Sequence, residues 1–171
     1  MAGAALLSAC GGVLGPAAGS TVEALAPVAC TIAAATADDQ SYTSIATSAG
    51  GKFTGSRTDD LTVAANRDRI FGQRLRELQR AKETVAGLTS ANDTEKALLE
   101  AAELDIEAAI DLVSYDRAWA PGDPKAPEPP LEFPTLLDEA IGESSQDIRE
   151  AFATCSLPVD VVRRQQAYGG G

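Results

Sequence analysis

The groups with chemical capacity in this 171-residue chain are 25 carboxylates and three cysteines, because it contains no histidine. Histidine is the commonest general base and metal ligand near neutral pH. Its absence excludes Ser-His-Asp and Cys-His nucleophiles, Glu-x-x-His di-iron sites and the histidine-bearing zinc signatures. Carboxylate chemistry remains. Glu100, Glu103, Glu107 and Asp111 follow at steps of three, four and four, which places them on one helical face. That stripe reads as a solvated face or as a contact for a basic partner. Calcium takes oxygen ligands from a bent loop, which a straight helix does not supply, so no metal is expected. Glycosidase-like use of two acids needs a cleft that desolvates one of them, and the sequence predicts none. The expectation is a protein without catalytic residues, cofactor or small-molecule substrate.

The cysteines suggest different chemistry. Residues 1–22 carry no charged side chain, and Gly11, Gly12, Gly15, Pro16 and Gly19 interrupt any run approaching the ~20 apolar residues of a bilayer span. Within this stretch Leu7-Ser8-Ala9-Cys10 resembles the lipobox of bacterial lipoproteins, an apolar residue and two small ones ahead of the cysteine that receives the lipid. The resemblance covers four residues of a targeting signal. It implies lipidation of Cys10, a membrane partner reached through that acyl anchor, and a place in the bacterial cell envelope, on the periplasmic side at the outer membrane. Residues 1–26 are then signal remnant, anchor and flexible tether. Cys30 and Cys155 remain as a pair that closes a disulfide in an oxidising compartment, or stays as two buried thiols in a reducing one.

Charge narrows the partners. Fourteen cations against 25 acids leave a formal net charge of -11, which repels phosphate backbones, so no nucleic acid partner is expected. Gly50-Gly51-Lys52-Phe53 superficially resembles a phosphate-binding loop, but Ala46 stands where the motif needs glycine and Phe53 where it needs a hydroxyl.

Positioning these groups falls to helices. About a fifth of the residues are alanine and eight are aromatic, a mix that favours helices around a thin core. The fold class expected is all-α: a small helical bundle built on a long antiparallel αα-hairpin, with a Pro-rich strap leading to a C-terminal helix. Residues 27–171 form one domain in this reading. A weak helix opens at Pro27 and runs over 27–49.

Helix 58–86 is capped by Thr58, has Asp59 and Asp60 in its first turn, and buries Leu61, Ala64, Phe71, Leu75, Leu78 and Val85. Gly87 stops it. Asn92 and Glu95 resemble a capping box for helix 93–119, whose apolar face, Leu99, Ala102, Ile106, Ala109 and Val113 with Leu98 and Ile110 beside it, is too wide for a two-helix contact. Six of nine prolines fall in 121–134, a polyproline strap able to run back along the hairpin, or alternatively a PxxP recognition segment. A final helix over 135–154 carries Leu137, Ile141, Ser144, Ile148, Ala151, Phe152 and Cys155 on one face. Antiparallel packing of the first and last helices would bring Cys30 and Cys155 together.

Charge also sorts between the hairpin helices. Seven cations, Arg57, Arg67, Arg69, Arg74, Arg76, Arg80 and Lys82, face a second helix with seven acids between Asp93 and Asp111. Opposite signs favour this pairing over self-association of either helix. Two functional readings follow: a lipid-anchored envelope scaffold, adaptor or accessory subunit of a membrane-associated complex that contacts other envelope or assembly proteins, and a structural subunit of a virion, appendage or bioenergetic complex whose Ala-rich arm is ordered by partners.

Overall fold

The computed structural model describes residues 18–37, 57–118 and 130–153, and among them finds six helices and no strand. The fold is an all-α helical bundle. Its elements are α1 (Ala18–Thr36), α2 (Arg57–Thr62), α3 (Ala64–Ala86), α4 (Asp93–Ala118), α5 (Leu136–Gly142) and α6 (Gln146–Phe152).

Helices α3 and α4 form the antiparallel hairpin, with the most extensive contact in the fold. Ile70, Phe71, Leu78, Ala81 and Val85 of α3 meet Leu98, Ala102, Ile106, Ala109 and Val113 of α4 in one core. Ala64 is exposed and Leu75 half-buried, so the α3 seam is carried by Ile70 and Ala81 instead. The connection follows the expected chemistry with a shift of one residue. Asn92 accepts from the Glu95 N–H at 2.9 Å, and the returning Glu95 carboxylate accepts from Ala91 N–H at 2.8 Å rather than from Asn92 N–H. Glu95 is thereby buried at 2% exposure, its charge met by hydrogen-bond donors. Gly87 ends α3 in right-handed geometry (φ -89°), so its value there is not access to left-handed backbone.

The wide face of α4 is covered by α1. Leu25, Val28, Ala29 and Ile32 pack into the hairpin. Thr21 Oγ1 donates to Thr89 O (3.1 Å) and Arg74 Nη1 donates to Ala35 O (3.3 Å), so α1 runs antiparallel to α3 and parallel to α4. This corrects the expected start of the first helix: it begins at Ala18, and residues 18–26, expected as tether, are helical. Pro27 is interior to α1. Its missing N–H is tolerated because Pro27 is exposed, where water can satisfy the carbonyl it would have bonded. Residues 18–36 are thus ordered against their own chain. The remainder of the expected 27–49 helix, beyond Ala37, lies outside the described residues, as does the Gly50–Phe53 loop.

Two expected helices are each divided. The 58–86 helix starts at Arg57 and breaks at Val63, whose backbone is extended (φ -84°, ψ 111°). Thr62 Oγ1 donates to Asp59 O at 2.6 Å, the local competition by which a Thr side chain loosens a helix, and Val63 beside it is β-branched. The 135–154 helix breaks over Glu143–Ser145 into α5 and α6. Ser144 Oγ donates back to Ile141 O (2.7 Å), Ser145 is extended, and Arg149 Nη1 donates to Gly142 O and Ser144 O. Leu137, Ile141 and Phe152 still reach the core.

α5 is docked by an interaction absent from every local pattern. Asp105, midway along α4 and 2% exposed, accepts from Leu136 N–H (3.0 Å) through one oxygen and Leu137 N–H (2.8 Å) through the other. It supplies the cap that the Thr135 side chain does not. From the end of α4 the chain therefore returns only about 20 Å along that helix before α5 begins, well within reach of an extended strap. Of that strap, residues 121–129 lie outside the described residues. At its end Phe133 is half-buried and Pro134 buried, so the backbone there is not the fully solvated one expected.

Burial raises the Asp105 carboxyl above its ordinary value. The N–H bonds from Leu137, Leu136 and Thr135 oppose the shift, and the Glu139 charge adds to it. A carboxyl with a raised folded pKa binds its proton more tightly when folded. Its contribution is most favourable below the unfolded pKa and falls as pH rises through the folded one. Urea unfolding of wild type and Asp105→Asn across the acid range should show the wild-type advantage shrinking as pH rises, then levelling; an advantage that grows with pH contradicts this assignment. Asp105→Ala, which leaves both N–H groups unmet, should cost about 2–3 kcal/mol. At the other buried carboxylate, Glu95→Ala should cost about 1 kcal/mol, and Asn92→Ala in the same background should add less than it does alone, measured as a double-mutant cycle.

Candidate functional site

Glu100, Glu103, Glu107 and Asp111 are all exposed on one face of α4, as their spacing implies. Two are engaged in ion pairs, Glu100 with Lys96 one turn earlier (3.7 Å) and Glu107 with Lys82 of α3 (2.9 Å). Among the described residues no group of three Cys, Asp or Glu is placed to hold a metal ion. The face is solvated, and Leu104 stands exposed within it.

The charge sorting foreseen for the hairpin is realised in part. Lys82–Glu107 joins the basic helix to the acidic one, but a second pair, Asp68–Arg117 at 2.8 Å, has the reverse polarity. Both pairs are substantially exposed, and such pairs contribute only ~0–1 kcal/mol, so neither of these two holds the hairpin by itself. The groups expected on the charged surfaces also divide. Arg74 is 1% exposed, its guanidinium 5.4 Å from the centre of the Phe71 ring, and Glu95 and Asp105 are buried as caps. Asp60 and Asp116 are buried as well, and neither they nor Arg74 are free of partners. Beside Asp116, burial pushes the Tyr115 phenol up, and the Asp116 charge adds to the shift.

Cys30 is half-buried on α1 and is not a free group. With Ala26, Pro27 and Glu23 it lines an open depression whose far wall includes Ala151 of α6. A second open depression lies across Pro27, between α1 and α3, floored by Ala24, Val28 and Ala81 with Glu77 and Arg80 at its edge. α1 and α6, the first and last of the described helices, are neighbours. Cys10 and Cys155 lie outside the described residues.

Sequence reasoning missed Asp105, Arg74 and Asp116 as interior groups. The one available signal was their position: all three fall on the apolar stripes of α3 and α4. If Lys82–Glu107 fixes the hairpin's register, Lys82→Glu and Glu107→Lys should each destabilise slightly. The double exchange should recover about 0.2–1 kcal/mol, the recovery fading in high salt as thermal unfolding is followed.

Comparison of the chain with protein-family models, curated proteins and solved structures finds no match.

Proposed function

We propose that this chain is a non-catalytic helical scaffold, adaptor or accessory subunit of the bacterial cell envelope, held at a membrane by lipid on Cys10 and braced by a Cys30–Cys155 disulfide. The observation that carries the proposal is Leu7-Ser8-Ala9-Cys10, with its apolar and small residues ahead of a cysteine. Among the described residues no helix is long and apolar enough to cross a bilayer, so membrane attachment in this reading rests on the acyl group. One chain gives marginal binding, whereas the several chains of a mature bacterial lipoprotein hold firmly. Its partners are other envelope or assembly proteins.

The disulfide is supported by the placement of Cys30. It lines the same depression as Ala151 of α6, which precedes Cys155 by four residues in sequence. A bridge closing more than a hundred residues contributes ~4–5 kcal/mol in the chain-entropy picture, and typical bridges ~2–4. A structural subunit with an arm ordered by partners draws less support, because α1 is packed against its own hairpin.

Intact mass of protein from its native cells tests both halves separately. The expected species begins at Cys10, carries diacylglycerol, and gains two hydrogens on reduction. A chain retaining residues 1–9 with unmodified Cys10 removes the anchor. Cys30 and Cys155 alkylated without reductant remove the bridge. Cys10→Ala should move the protein from the membrane fraction to the soluble one, and reduction should lower unfolding stability by about 2–4 kcal/mol.

A further inference from the structure

We draw no further inference here: the strongest candidate, the outward face of α1 around Pro27 with an open depression on either side of it, carries nothing because nothing in the structure shows what covers it.

Discussion

The α3–α4 hairpin exposes an apolar face that two helices cannot hide from each other, and its coverage organises the rest of the fold. On α4 the buried positions run from Glu95 through Leu98, Ala102, Asp105, Ala109 and Leu112 to Asp116, a stripe broad enough for several neighbours. α1 covers it together with the facing stripe of α3, and α5 covers its far edge. Small residues on both sides make this possible. Ala29 and Ala33 of α1, and Ala102 and Ala109 of α4, are buried positions that let backbones approach closely where larger side chains would hold them apart. The alanine content that predicts a thin core is thus also the means by which α1, with Leu25, Val28 and Ile32 as its larger side chains, seats itself closely.

Three of the buried charged side chains, Glu95, Asp105 and Arg74, meet backbone groups at helix ends. Glu95 and Asp105 are both nearly inaccessible, and both use their carboxylates on main-chain N–H groups at a helix start. The first caps its own helix and the second caps a helix more than thirty residues away. Such buried carboxylates weaken a protein when unpaired, but two N–H donors per carboxylate offset much of the desolvation cost and fix a geometry that apolar contacts leave free. Asp105 therefore decides where along α4 the C-terminal segment docks, while Leu137 and Ile141 supply the contact area. Arg74 is the cationic counterpart, reaching across to the carbonyl end of α1 with its planar group near the Phe71 ring.

Much of this was legible in the sequence, for physical reasons that differ by element. Helix α4 ends within one residue of its expected bounds because Asn92 and Glu95 form a capping signature and its apolar period persists for seven turns. The termination of α3 was legible for similar reasons. The start of α1 was not: Gly, Ser, Thr and Ala ahead of Pro27 have no strong periodicity, and the proline suggests a first turn when burial of Leu25 and Thr21 sets the helix earlier. The breaks at Val63 and Ser145 rest on a few local side-chain bonds, from Thr62 at the first and from Ser144 and Arg149 at the second, weaker than any periodic signal. Asp105 was illegible as a cap because its partners lie in another helix. As a charge at an apolar position it was visible, yet the carboxylate stripe beside it drew the functional reading.

In the proposed reading, the same division of charge bears on how the chain meets a membrane. Acids that are not used inside lie outward, Glu100, Glu103, Glu107 and Asp111 among them, and the whole chain carries -11. Anionic headgroups repel a surface of that sign, and a peripheral protein that adsorbs by charge needs clustered lysines and arginines. Several of the cations are engaged within the fold: Arg74 is buried, Lys82 and Arg117 face acids, and Arg149 binds the carbonyls at the end of α5. In the proposed reading a covalent lipid therefore does what neither electrostatics nor an apolar span among the described helices does.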